Sequence, residues 1–208
     1  MVLVAVLISL VVVLQLLGSF IRFGPFSISL VLIPIVIGAA VCGSGAGACL
    51  GFAFGLAVLL SGDAAIFLAI NPFGTIVTVL VKGTAAGLVA GLIYKYLSRV
   101  FAKIGEQRKQ IKAQWLEKTV SVLVKFLPVM AAAVICPVVN TGVFLIGCRL
   151  FFYDTISAWG AAAGYSNAAE YMFLGLAGGN FIFELLTNVI LAPVIIRLLA
   201  INKKIFKF

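Results

Sequence analysis

The chain has 208 residues, of which 64% are hydrophobic and 10% charged, and its mean hydropathy is +1.27. Soluble domains carry about a quarter charged residues, so this composition excludes an ordinary soluble domain. The formal net charge is +9, but the basic residues stand between apolar runs, which indicates membrane orientation rather than nucleic-acid binding. The chain has no histidine, and its four cysteines lie in apolar runs without a CxxC pair. These features predict no metal, no cofactor and no His-based catalytic site.

Apolar runs of nearly bilayer-spanning length follow one another along the whole chain. A helix needs about 20 apolar residues to cross the hydrocarbon core. The predicted spans are 2–17, 28–41, 46–60, 72–97, 120–148 and 172–200. The short apolar segment 64–70 is predicted to be a loop that dips into the protein, and 151–171 an aromatic, mildly acidic loop. We therefore predict an all-α membrane protein, a single domain over 1–208 built as a bundle of six transmembrane helices.

The basic residues predict the orientation of this bundle. They concentrate in the polar stretch 98–119 and in the tail 202–208, and such clusters face the cytoplasm. Six spans place both clusters and both termini on that side. The external loops are then 18–27, 61–71 and 149–171, with Arg22 and Arg149 as their only basic residues.

Two helices carry glycine stripes at four-residue spacing. Gly47, Gly51 and Gly55 lie in the third predicted span, and 83, 87 and 91 are glycines in the fourth. Such stripes let helix backbones approach closely. They favour either packing within the bundle or a flat surface for a partner membrane protein. Ala5 and Ser9 form a shorter pair of the same kind on the first span.

Polar residues inside the spans fall at one depth. Lys82, Asn140 and Glu184 lie about 15 to 18 Å below the outer ends of their helices, at a rise of about 1.5 Å per residue. Asn180 shares a helix face with Glu184. Intramembrane charges are costly and are usually paired or functional. The pattern allows a structural Lys82–Glu184 ion pair, and it allows a polar pocket open to the outside, which the extra amides favour.

The last external loop is rich in aromatic residues, including Tyr153 and Trp159. It fits an interfacial aromatic belt or a lid whose rings stack on a flat ligand. The chain has no Walker A motif and no protease or phosphotransferase motif, and it shows no inverted repeat of broken helices. We therefore predict a protein that is not an enzyme and does not hydrolyse ATP itself.

The order and spacing of several short motifs resemble the substrate-binding S components of energy-coupling factor (ECF) transporters, the bacterial vitamin importers. The motifs are LIPIVIGA at 32–39, GAG at 45–47, GFAFGL at 51–56, NPF at 71–73, GLVAGLIYK at 87–95 and PVVNT at 137–141. Asn180 and Glu184 in the last predicted span also fit, and the resemblance covers essentially the whole chain.

The resemblance implies a multi-pass protein of the bacterial cell membrane that captures a vitamin from outside. Its partners are then a membrane coupling subunit, on which the S component topples, and two ATPase subunits. The docking position on the first span corresponds to Ala5 and Ser9, with serine in place of the family's usual alanine.

The implied ligand site combines the first, third and fifth loops with the outer halves of the last three spans. The loop residues Arg22, Asn71, Tyr153 and Trp159 thereby join Lys82, Asn140, Asn180 and Glu184 as candidate ligand contacts. Pantothenate, riboflavin and pyridoxine-like compounds all remain open. The alternative function is a stand-alone transporter or channel for small solutes.

Overall fold

In a computed structural model, the protein is described over residues 2–20, 22–23, 26–27, 30–108 and 114–205, with side chains over 2–20, 30–103 and 126–197. The described chain is mainly helical, with one short hairpin of two strands that have two residues each. Helices are expected in a bilayer, because lipid cannot form hydrogen bonds with backbone N–H and C=O groups. The elements are α1 Val2–Gly18, β1 Arg22–Phe23, β2 Phe26–Ser27, α2 Leu32–Cys42, α3 Ser44–Ser61, α4 Ala65–Ile70, α5 Pro72–Arg108, α6 Gln114–Phe151, α7 Tyr153–Ala162, α8 Ala168–Glu170, a π-helix Tyr171–Gly178 and α9 Gly179–Ile205.

Within the described residues, four segments are long and apolar enough to cross a membrane: Ser44–Ser61, Pro72–Lys103, Phe126–Phe151 and Ala168–Arg197. Helices α1 and α2 are apolar but shorter, with 17 and 11 residues. At 1.5 Å per residue, α2 is only about 16 Å long. The structure is thus a helical membrane protein with four clear spans and two shorter apolar helices.

A tight seam between α3 and α5 forms the centre of the bundle. A Cβ added to Gly47 would meet the carbonyl oxygen of Gly87, and one added to Gly51 would meet that of Gly83. The two glycine stripes therefore pack against each other, and helix backbones touch where larger residues would hold them apart.

Gly43 produces the reversal between α2 and α3. Its φ of 95° lies in the left-handed region, which glycine adopts without the strain that a Cβ causes. The two helices then pack as neighbours, since Gly38 lies against the side chain of Leu50.

Several predicted boundaries and loops were wrong. The segment 64–70 is helical rather than a loop, because Ala65–Ile70 form α4, in which no residue is fully buried. The aromatic stretch 151–171 folds largely into α7 and α8. Helices α5 and α6 continue through most of the predicted cytoplasmic loop 98–119, of which residues 109–113 lie outside the described chain.

Chain ends and irregularities also differ from the prediction. The segment 18–27, predicted to be the first external loop, contains the hairpin in which Arg22 pairs with Ser27. The last predicted span begins as a π-helix at Tyr171 and becomes α-helical at Gly179. Such π segments are rare and occur frequently near functional sites. The predicted basic tail falls partly on 206–208, outside the described residues.

We expect Gly51→Ala to destabilise the protein, because its Cβ would overlap backbone atoms of α5. Overpacking of this kind costs about 1–3 kcal/mol. Unfolding of the purified protein in one detergent, followed by circular dichroism, measures the change. Gly45→Ala is the matched control on the same helix, because a Cβ there meets nothing within 4 Å. Equal stability of the two variants would contradict the seam.

Candidate functional site

A partly enclosed cavity lies at the end of the bundle that carries α4 and α7. Its volume is about 70 Å³, well below the roughly 300–1,000 Å³ of a typical small-molecule pocket. Side chains from α1, α3, α4, α5, α6 and α9 line it: Gln15, Phe54, Val58, Phe67, Thr75, Thr78, Val79, Lys82, Phe144, Cys148, Asn180 and Glu184, with Asp63, Ala64 and Phe152 from the connections.

A second, smaller cavity of about 40 Å³ lies beside the first. The two share Lys82, Phe144 and Asn180, while Glu184 lines only the first and Asn140 only the second. The four intramembrane polar residues predicted to share one depth therefore line two adjoining cavities.

Glu184 is the most deeply buried charged group of the site, with 1% of its surface exposed. Its Oε1 accepts a hydrogen bond from Asn180 Nδ2 at 3.2 Å, and its Oε2 accepts one from Asn140 Nδ2 at 3.5 Å. Each oxygen of the Glu184 carboxyl group therefore has an N–H donor facing it. One turn further along α9, Asn188 Nδ2 donates to the backbone oxygen of Glu184 at 2.8 Å.

Lys82 lies between aromatic rings rather than against Glu184. Its Nζ is 5.6 Å from the ring centroid of Phe54 and 5.4 Å from that of Phe144, within the range of cation–π attraction. Among the residues with described side chains, no nitrogen–oxygen contact within 4.0 Å joins Lys82 to Glu184. The two opposite charges line the same cavity without forming a direct ion pair.

Two buried polar atoms at the cavities lack a hydrogen-bond partner within the described part of the chain. Thr78 Oγ1 is one, in a residue that is 5% exposed, and Asn140 Oδ1 is the other, in a residue that is 4% exposed. A buried polar atom without a partner costs about 1–3 kcal/mol. Because each atom exposes less than 1 Å², a ligand or a water can reach it only after the side chains around it move.

Sequence reasoning missed the side of the cavity formed by α1 and the α3–α4 connection. Gln15, which is 2% exposed, donates through Nε2 to Asp63 Oδ2 at 2.5 Å and to Ser61 Oγ at 3.4 Å. Its signal was an amide within an otherwise almost entirely apolar run. Thr75 and Thr78 were missed too, although they share a face with Lys82 at helical spacing.

Aromatic rings cover this end of the cavity. The Phe67 centroid lies 5.0 Å from that of Phe152, 5.9 Å from Trp159 and 6.0 Å from Phe144, all edge to face. Trp159 is thus placed behind Phe67 and does not line the cavity. Tyr153 is 41% exposed, and Arg149 stacks on its ring at 3.9 Å, so the structure places Tyr153 outside the cavity.

Two further predicted contacts have other positions. Asn71 Oδ1 accepts a hydrogen bond from Gly74 N at 2.9 Å, while Pro72 takes the first position of α5. This is a helix N-cap, and Asn71 does not line the cavity. Arg22 lies in β1, and its side chain is outside the described residues.

The residues predicted to dock on a partner divide into two groups. Gly47, Gly51 and Gly55 are buried in the α3–α5 seam. Their predicted role as a docking surface was wrong, because backbone atoms of α5 already cover that face of α3. Ala5 and Ser9 are exposed on α1, and Ser9 Oγ donates to Ala5 O within the helix.

The comparisons with known proteins agree with this architecture. A family described as "ECF transporter, substrate-specific component" matches residues 1–199. Searches of curated proteins and of solved structures return no match to this chain. The match covers nearly the whole chain, and the chain belongs to this family. It is therefore a multi-pass membrane protein and a substrate-binding subunit of an ECF importer.

We expect Asn71→Ala to lower the free energy of unfolding by about 1 kcal/mol through loss of the cap. Asn71→Asp should keep it, because a carboxylate caps equally well at a helix N-terminus. Thermal unfolding in detergent measures both. If Asn71→Ala leaves the stability unchanged but binds ligand much more weakly, the result would support the ligand contact predicted from the sequence rather than the cap.

Proposed function

We propose that this chain captures a water-soluble vitamin or a related nutrient from outside a bacterial cell and delivers it by toppling on an ATPase-driven coupling subunit. The observation that carries the proposal is the pair of adjoining cavities lined by Lys82, Asn140, Asn180 and Glu184, in a chain of the S-component family. The partners proposed are the coupling subunit, two ATPase subunits and the lipid bilayer. The chain itself supplies binding.

The proposed topology has six spans with both termini in the cytoplasm. Four long apolar helices supply four of them, and α1 and α2 are proposed as the others. Support comes from charge: Lys95, Arg99 and Lys103 lie on the part of α5 remote from the cavity, where positive residues face the cytoplasm. The cavity would then open outward, under α4 and α7.

Support for a binding role comes from the cost of the polar groups. Burying a carboxylate, a lysine and several amides in a membrane bundle is expensive unless each finds a partner. Glu184 uses two amides, yet Thr78 Oγ1 and Asn140 Oδ1 find no partner among the described residues. Both atoms expose less than 1 Å², so we propose that ligand binding turns their side chains toward the cavity, supplies the missing hydrogen bonds and recovers part of this cost.

We expect Asn140→Ala and Glu184→Gln each to weaken vitamin binding at least tenfold, about 1.4 kcal/mol. Each change removes a hydrogen-bonding group from the cavity while keeping or reducing side-chain volume. Binding is measured by mass spectrometry of ligand retained on the purified protein. Thr187→Val serves as control, because its hydroxyl bonds to Phe183 O and Glu184 O within α9. Lost stability with unchanged affinity would support a purely structural role.

Uptake assays distinguish this function from that of a stand-alone transporter. Vesicles that contain the chain alone should bind ligand without concentrating it, and adding the coupling and ATPase subunits with ATP should start accumulation. Concentrative uptake by the chain alone would overturn the proposal.

The exposed pair on α1 gives a second test of the assembly. We expect Ala5→Leu combined with Ser9→Leu to abolish ATP-driven uptake and leave ligand binding intact, because the larger side chains prevent close helix contact. Leu10→Phe, also an exposed position on α1, is the control. Normal uptake by the double variant would place the docking surface elsewhere.

A further inference from the structure

We propose that three basic residues on α5, Lys95, Arg99 and Lys103, form a binding site for the phosphate headgroups of anionic phospholipids. We name these three residues the basic stripe. They line neither cavity, so this site is separate from the one proposed for the transported nutrient. Only the choice of leaflet rests on the proposed topology, which makes it the cytoplasmic one.

The spacing of the basic stripe places its side chains on one face of α5. Residues four positions apart are neighbours on a helix surface, and Lys95, Arg99 and Lys103 are all exposed. Among the residues with described side chains, no carboxylate oxygen lies within 4.0 Å of their nitrogen atoms. The sequence from 95 to 125 has eight Lys and Arg residues and two Glu residues, so this end of the chain is strongly positive.

The same face of α5 carries apolar side chains that are exposed at membrane depth. Val81, Leu88 and Leu92 are exposed, and Lys95 and Arg99 follow them at the three- and four-residue steps of a single helix face. Exposed apolar side chains of a membrane helix meet lipid tails. The basic stripe therefore continues a lipid-facing surface, and the molecule that meets the tails on this face also brings its headgroup to the stripe.

The length of α5 places the basic stripe at the level of the headgroups. At about 1.5 Å per residue, Lys95 lies about 35 Å and Arg99 about 41 Å along the helix from Pro72, where it begins. The hydrocarbon core is about 30 Å thick, and the bilayer with its headgroup layers about 40–45 Å. Helical side chains slant toward the N-terminus, which here is the direction of the membrane. Arg99 and Lys103 thus extend back toward the layer that Lys95 occupies.

The chemistry of the basic stripe fits a phosphate ester with a net negative charge. A guanidinium group binds two phosphate oxygens at once, and an ammonium group acts as a compact positive charge. Each Lys or Arg near an anionic lipid surface favours binding by about fivefold. A zwitterionic lipid gains less, because its own ammonium group already balances its phosphate. A headgroup held by three successive turns fixes the inner end of α5, the helix that carries Lys82.

Retention of lipid by the full-length protein tests the proposal. Nanodiscs are prepared from equal amounts of phosphatidylglycerol and phosphatidylcholine, the protein is transferred to a mild detergent, and native mass spectrometry counts the lipids that stay bound. We expect phosphatidylglycerol to be enriched over phosphatidylcholine, and Lys95→Gln, Arg99→Gln and Lys103→Gln together to lower this enrichment by about tenfold or more. Glutamine is a good helix former, so circular dichroism should show an intact fold. Unchanged enrichment in the triple variant would overturn the inference.

Two control variants separate a defined site from a general attraction of positive charge. Arg197, which is exposed on α9, lies outside the basic stripe, so Arg197→Gln should lower the enrichment far less than Arg99→Gln. Lys95→Arg with Lys103→Arg keeps the charge and should keep the enrichment. Equal losses in the two arginine variants would mean that lipid binds without a site and would contradict the proposal.

Two further measurements identify what the basic stripe binds. Excess inorganic phosphate should lower the enrichment no more than sodium chloride of equal ionic strength, and a larger effect would assign the stripe to a free anion instead. The triple variant should still co-purify with the coupling subunit. Loss of that subunit with unchanged lipid enrichment would assign the stripe to an acidic protein surface and overturn the inference. Retention of the transported nutrient should equal that of the wild type, so the proposed function is tested separately.

Discussion

The close approach of α3 and α5 is the contact on which the rest of the structure depends. Glycines on both helices let the backbones touch, and this contact also positions the site. Phe54 lies between Gly51 and Gly55 on α3, and Lys82 precedes Gly83 on α5. A Cβ on Gly83 would come within 3.2 Å of the Phe54 ring. The seam that packs the bundle thereby brings Phe54 within 5.6 Å of the Lys82 ammonium.

The second constraint is the cost of a carboxylate inside a membrane bundle. The carboxyl group of Glu184 accepts hydrogen bonds from two amides, which reduce this cost. Asn180 lies on the same helix, α9, and Asn140 lies on α6. These bonds cross-link α6 and α9 at the depth of the cavity. Lys82 is held separately by aromatic rings, so neither charge neutralises the other at contact distance. Both remain available to the space between them, which a direct ion pair would have closed.

The sequence alone predicted the membrane class, the four long helices and the convergence of Lys82, Asn140, Asn180 and Glu184, because a charge or an amide in an apolar helix is a strong local signal. It failed where position depends on tertiary contacts. The sequence around a glycine stripe does not show whether the stripe packs against a second helix of the same chain or against another membrane protein. Asn71 has the sequence of a cap, but its place in an external loop suggested a ligand contact. Gln15 carried the same kind of signal, an amide in an apolar helix, but it was not used.

The two ends of the cavity differ in how firmly they are held. Helix α3 has seven buried residues, including three seam glycines, whereas α4 has none and α7 has only Ile156 and Gly160. Separating α3 from α5 would break backbone contact along several turns. Helices α4 and α7 are held instead by side chains, since Phe67 and Trp159 pack on the cluster around Phe152. Local opening draws on the elements with the fewest buried contacts, so the side of the cavity under α4 and α7 is less constrained than the wall that carries Lys82.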